Sequence, residues 1–312
     1  MLKLGQILTI SLALLGNGLP QTSVTSQGEL APYVLSVPVD EVSLVFHASD
    51  FQGRSLNDLT VADLRLSDNG KPQKQILSFQ FYPSLPIRAG ILFDTSRSML
   101  PDLKRNQTVA ELYATRLLRK GSDRAFVMRF DSDAKVTQSW TDDSSALTES
   151  LHSIAADHAS RLGGTELFDS IYKACRDQWT SSRNEATGNF ILLFTDGIDN
   201  ASHTRIEDVI EECQGARAAI YVFLNEPKSM FSEGQKTLKD LVNKSGGRIF
   251  FAPKADEILE DLYIMEGDQR SQYRLVYRPL GFHHDGSFHR IRLDSPTRGG
   301  MITTRSGYYA MR

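Results

Sequence analysis

The stretch Ile91-Leu92-Phe93-Asp94-Thr95-Ser96-Arg97-Ser98-Met99 constrains the fold more than any other in the chain. Three apolar residues run straight into a carboxylate. A run of this kind reads as a strand buried on both faces, and such strands belong to parallel sheets covered by helices. The loop after such a strand lies at the carboxyl edge of the sheet, where open α/β folds place their ligands. Asp94, Ser96 and Ser98 offer one carboxylate and two hydroxyls, hard oxygen donors suited to a small divalent cation. The same residues also fit a serine-capped helix start with an aspartate in the turn. This stretch alone leaves both readings open.

Two later loops match it. Gly163-Gly164-Thr165 presents a third hydroxyl in a loop that the glycines let bend tightly. Phe190-Ile191-Leu192-Leu193-Phe194-Thr195-Asp196-Gly197 is a second buried strand that ends in a carboxylate. In order and spacing the three pieces resemble the metal-ion-dependent adhesion site of a von Willebrand factor type A domain. The resemblance implies that Asp94, Ser96, Ser98, Thr165 and Asp196 form a metal site. It further implies Mg²⁺ or Mn²⁺ as the ion, and a protein or matrix ligand that offers a carboxylate to it. Many members of that family have Gly where this chain has Arg97.

Around the motif, strands alternate with helical stripes over residues 88–267. Leu103, Ala110, Tyr113, Ala114 and Leu117 mark one helix, and Phe168, Tyr172, Cys175 and Trp179 another. Ile206, Val209, Ile210 and Cys213 mark a third, and Ile258, Leu262 and Met265 the last. The alternation predicts an α/β fold with a doubly wound, mainly parallel sheet of six strands, and the resemblance to the type A domain covers this whole span. Residues 27–87 and 268–312 read instead as β segments. Val42, Leu44 and Phe46 alternate in the first, Tyr273, Leu275 and Tyr277 in the second, and Asn69-Gly70 is a hairpin signal. Neither segment is long enough for a core of its own, so the two are expected to join in one small sandwich through those residues. The flanks resemble a bacterial (acidobacterial-type) group of secreted proteins. Asp68-Asn69-Gly70-Lys71-Pro72 and the closing Gly307-Tyr308-Tyr309-Ala310 carry that resemblance.

Residues 1–26 have the pattern of a signal peptide: Lys3, an apolar core from Ile7 to Leu15, and a small polar exit. The apolar run of about nine residues is far short of the roughly 20 a membrane-spanning helix needs. The mature protein is therefore expected to be secreted, periplasmic or at the cell surface, with no membrane span. A net charge of −3 over 312 residues, with no basic stripe, gives no reason to expect nucleic acid as a partner. Cys175 and Cys213 both lie on apolar helix stripes, where free cysteine packs as a small hydrophobe. Two buried thiols are expected, although an even count in an exported chain argues for a bridge. Asp131, Asp133 and Asp199 could form an outer shell to the site but read rather as turn formers, and His283 and His284 as part of a polar turn.

Two function classes compete. A non-catalytic, metal-dependent adhesion module needs the site above and an open coordination position. A hydrolase of the haloacid-dehalogenase type also puts Asp at a strand end near Mg²⁺, but its chemistry wants a second carboxylate two residues on. Ser96 stands there. A wall-associated scaffold with a structural metal is a third reading.

Overall fold

The chain opens with strands whose apolar residues alternate. In a computed structural model, which describes residues 41–154, 164–180, 185–225, 232–251 and 257–310, β1 (Val42–Ser49) buries Val42, Leu44 and Phe46. The proposed signal segment, Gly163 and His158 lie outside the described residues. β2 (Arg65–Asp68) turns into the short β3 (Lys71–Pro72) through Asn69 and Gly70, both at positive φ, as the favoured hairpin turn requires. β4 (Ile76–Tyr82) then leads into the α/β layer.

That layer contains β5 (Ile87–Asp94), α1 (Leu103–Arg116), β6 (Arg124–Phe130), β7 (Ala134–Thr141), α2 (Ser144–Ser153) and α3 (Leu167–Gln178). It continues through β8 (Gly188–Phe194), α4 (Ile206–Gly215), β9 (Ala218–Leu224), α5 (Glu233–Ser245), β10 (Ile249–Phe251) and α6 (Ile258–Arg270). The strand order is β10-β9-β8-β5-β6-β7, parallel except for the antiparallel edge strand β7. Apolar side chains fill both faces. Residues of α1, α2 and α6 pack on one side, and those of α3, α4 and α5 on the other. β5 and β8 are neighbours in the middle of the sheet, at the point where strand order reverses.

The chain then returns to the opening strands. β11 (Gln272–Tyr277) pairs with β1, aligning Val42 with Tyr277, Leu44 with Leu275 and Phe46 with Tyr273. With β12 (Phe288–Asp294), β13 (Met301–Thr304) and β14 (Gly307–Tyr309) it completes two four-stranded sheets, β13-β1-β11-β4 and β14-β12-β2-β3. One apolar cluster lies between them, with Leu44, Phe46 and Tyr273 from one sheet and Leu66, Ile291 and Leu293 from the other. The expected sandwich is therefore single. At its centre the buried Asp68 carboxylate accepts from the hydroxyls of Tyr277 and Tyr308, each at 2.8 Å, and sits 3.1 Å from His289 Nδ1. Those contacts satisfy a buried charge that would otherwise be expensive.

Cys175 and Cys213 form a disulfide, which overturns the expectation of two free thiols. Right-handed crossovers place α3 and α4 on the same face of the sheet. The two apolar stripes that argued for buried thiols therefore face each other, with the Cα atoms 5.0 Å apart.

The joint between sandwich and α/β layer is a buried ion pair. Arg270, the last residue of α6, donates to both oxygens of Asp123, at 3.1 and 2.6 Å, and to the carbonyls of Leu85 and Leu117. Glu266 is its second acidic partner. Asp123 in turn accepts from the Ile87 amide at 2.9 Å, at the start of β5. Removing one member of a buried pair leaves an uncompensated charge, so Asp123→Ala should lower stability by about 3–5 kcal/mol in chemical denaturation. A loss under 1 kcal/mol would show that the pair is not needed.

Candidate metal centre

Asp94 ends β5 and is buried, with 1% of its surface exposed. Its Oδ1 accepts the Ser96 amide at 2.9 Å, and its Oδ2 accepts the Thr195 hydroxyl at 2.7 Å. A 3₁₀ turn over Arg97–Asp102 follows and curls the chain so that the Ser96 and Ser98 hydroxyls lie 3.3 Å apart. The pairing of Phe93 with Phe194 sets the ends of β5 and β8 side by side. Thr195 therefore meets Asp94, and Asp196 follows directly. Asp196 Oδ1 accepts the Ile198 amide at 3.0 Å.

Thr165 arrives from the connection before α3. Its amide donates to Asn200 Oδ1 at 2.7 Å, and its carbonyl accepts the amides of Asn200 and Ala201. Asp199 accepts the Leu167 amide at 2.9 Å and the Ser202 hydroxyl at 2.6 Å, so it caps the start of α3 from the Asp196 loop. It does more than form a turn. Asp131 behaves as a turn former, accepting the Asp133 amide at 3.1 Å, while its carbonyl accepts the Glu166 amide. Burial and the nearby Asp169 push the Glu166 carboxyl up.

The structure thus links Asp94, Ser96 and Ser98 directly, sets Asp196 on the neighbouring strand end, and laces Thr165 to the Asp196 loop. Sequence reasoning missed Thr195 and Asn200, and read Asp199 as a turn former. A threonine at a strand end and polar residues in a turn carry no distinctive signal. It also missed a backbone contact: a Cβ on Gly234, in the first turn of α5, would lie 2.0 Å from the Asp196 carbonyl. Only glycine lets that helix start lean on the Asp196-Gly197 peptide.

The electrostatics fit a dication. Asp94 is pushed up from 3.8 to about 6, first by burial and further by the charge of Asp196, against hydrogen bonds from Ser96 and Thr195. Among the described residues neither Asp94 nor Asp196 has an ion-pair partner. No group of three or more His, Cys, Asp or Glu side chains among those residues is arranged for a metal. The donor set here is of another kind, two carboxylates with neutral hydroxyls.

Residues 91–198 match the family model of the von Willebrand factor type A domain. The six-stranded doubly wound sheet around these residues is in keeping with that match. Among solved structures, BatB from Bacteroides thetaiotaomicron is similar at 18% identity over 58% of this chain and 96% of its own, with a TM-score of 0.46. A von Willebrand factor type A protein from Catenulispora acidiphila is similar at 14% identity over 87% of this chain and 73% of its own, TM-score 0.46. Proximal thread matrix protein 1 from the mussel byssus, with a zinc-occupied MIDAS motif, shares 13% identity over 60% of this chain and 48% of its own, TM-score 0.44. No curated protein is significantly similar to this chain in sequence.

A raised carboxylate pKa means that the fold holds neutral Asp94 better than charged Asp94. In chelator, its contribution to stability is therefore favourable near pH 4 and falls as pH rises through about 6, by about 3 kcal/mol in all. Asp94→Asn removes this dependence. Urea unfolding in chelator should find the variant more stable than wild type at pH 7 and level with it near pH 4.

Proposed function

We propose that the chain is an exported, non-catalytic binding module whose ligand affinity depends on Mg²⁺ or Mn²⁺ held by Asp94, Ser96, Ser98, Thr165 and Asp196. The observation that carries this reading is the buried Asp94 carboxylate, beside Asp196 and hydrogen-bonded only to neutral donors. Two carboxylates balance a dication, and the hydroxyls add no charge. A bound ion therefore stays electrophilic and accepts a carboxylate from a protein or matrix partner. Ser96 stands where a dehalogenase-type hydrolase would need its second carboxylate, which favours binding over hydrolysis. The Cys175–Cys213 disulfide supports export, because such bonds persist in oxidising compartments. No helix among the described residues is long and apolar enough to cross a membrane.

Calorimetric titration with Mg²⁺ and Mn²⁺ should show binding to the wild type, none to Asp94→Ala, and weaker binding to Ser96→Ala, which loses only a neutral ligand. Capture of partners from the native surface should occur in Mg²⁺ and fail in chelator. Absence of binding for both ions, or equal capture by Asp94→Ala, would overturn the reading. Separately, N-terminal sequencing of the secreted protein should begin near residue 27; an intact Met1 on the secreted product would refute cleavage.

A further inference from the structure

The sheets end in the edge strands β13 and β4, β10 and β7, and β14 and β3. An exposed edge offers unpaired amides and carbonyls to any other strand, and folds blunt such edges with short strands, lysine, proline or irregular pairing. β3, β10, β14 and β13 are only 2, 3, 3 and 4 residues long, and β3 consists of Lys71 and Pro72. β7 is longer, but it carries Lys135 and its pairing with β6 slips twice.

β4 has none of these protections along most of its length. Its 7 residues, Ile-Leu-Ser-Phe-Gln-Phe-Tyr, include no charge and no proline. One irregularity lies at its start, and from Ser78 opposite Val276 to Tyr82 opposite Gln272 it pairs regularly with β11. β11 is its only strand partner among the described residues. Among those residues no backbone group of Ser78–Tyr82 bonds to a loop or a side chain either. In an antiparallel ladder alternate residues turn their backbone groups to the far side, so the outward half of the β4 ladder is open.

The side chains are unfinished at the same edge. Aromatic rings run across the core face of the sheet. The Tyr273 centroid lies 5.2 Å from that of Phe46, 5.3 Å from Phe79 and 4.6 Å from Phe81. Phe46 and Tyr273 are buried, whereas Phe79 and Phe81, at the end of the row, are only half-buried. On the opposite face Gln80 is exposed, and the Tyr82 hydroxyl donates to its Oε1 at 2.7 Å.

The strand that would complete this edge is uncharged, with aromatic residues at alternate positions, and β4 is itself such a strand. An antiparallel pairing about a two-fold axis at Gln80 sets Gln80 opposite Gln80. It sets Phe79 of each copy opposite Phe81 of the other, and Ser78 opposite Tyr82. The aromatic row then continues from one copy into the next, and cross-strand aromatic pairs of this kind are favourable. Lys74 and Pro83 flank the strand and limit the length of the pairing.

We propose that the free edge of β4 is a self-association surface, through which two copies of this chain join their sandwiches by antiparallel pairing centred on Gln80. Both copies use the same edge, so the assembly closes at two. So short a strand pairing makes a small interface, and the dimer forms only as concentration rises. The inference does not depend on the metal centre.

The test is sedimentation equilibrium of the whole secreted chain in chelator. A monomer–dimer equilibrium with a dissociation constant of roughly 1–100 µM is expected. Amide hydrogen exchange within Ser78–Tyr82 should slow as concentration rises. Gln80→Lys sets like charges opposite each other and should weaken the dimer by about fivefold or more. An equal amount of Gln80→Glu added to it should restore association as mixed dimers. Ser78→Lys, a second exposed change, should also weaken the dimer. Met301→Lys, at an exposed position on the other edge of the same sheet, should leave it unchanged. The proposal is overturned by a monomer at every concentration up to about 1 mM, by a species larger than a dimer, or by a mixture that does not associate. A dimer that Gln80→Lys and Ser78→Lys leave as tight as wild type, or that Met301→Lys disrupts, would overturn it as well.

Discussion

The hydrogen-bonded pairing of β4 with β11 is the constraint on which the rest of the architecture depends. The α/β layer leaves the sandwich after Tyr82 and returns at Gln272, and these two residues are partners in one sheet. Both ends of a long connection are thereby held one strand apart. Arg270 locks the return. It reaches Asp123 at the foot of β6, and Asp123 holds the first amide of β5. β5, the strand that delivers Asp94, is thus fixed at its start by the joint with the sandwich and along its length by β6 and β8. Local propensity alone would not hold it there: closing so long a loop is entropically unfavourable, and the sheet pairing and buried ion pair offset that.

The candidate centre sits at the opposite end of β5 and has the opposite electrostatic character. At the joint, Arg270 and Asp123 neutralise each other inside the protein. At Asp94 and Asp196 the chain supplies two negative charges and, among the described residues, no cation. The fold tolerates this because Asp94 keeps two good hydrogen bonds and because Asp196 remains partly solvated. Burial and the neighbouring Asp196 carboxylate both make ionisation of Asp94 less favourable. The position agrees with the topology, since β5 and β8 meet where strand order reverses and the following loops diverge.

Much of this was legible in the sequence because it depends on short-range periodicity. The continuous apolar runs before Asp94 and Asp196 announced central parallel strands, and Asn69-Gly70 announced its hairpin. The alternation of Val42, Leu44 and Phe46 against Tyr273, Leu275 and Tyr277 named one sandwich, and those residues pair in register. What stayed hidden depends on which distant residues meet. The apolar stripes bearing Cys175 and Cys213 gave the buried face of each helix but not the rotation of one helix against the other. Arg270 follows an ordinary helix pattern, and nothing local marks Asp123 as its partner. Thr195 reads as the last residue of a strand, yet its hydroxyl orients the Asp94 carboxylate. Asn200 and Asp199 look like loop residues until the fold brings them against Thr165 and the start of α3.

These hidden contacts bear on how well ordered the centre is before any ligand arrives. Thr165 lies two residues before α3. That helix start is capped by Asp199, and the body of α3 is bonded to α4 through Cys175 and Cys213. The Asp196 loop is braced from the other side by α5, where Gly234 touches its backbone. Asp94 is gripped by Ser96 and Thr195. The Thr165 and Asp196 loops are thus braced by different helices and bonded to each other, and Asp94 is tied to the end of β8 through Thr195. A ligand set scattered over three loops would ordinarily lose conformational entropy when it closes on an ion. Here the fold already imposes much of that ordering, which is what the proposed metal-site reading requires.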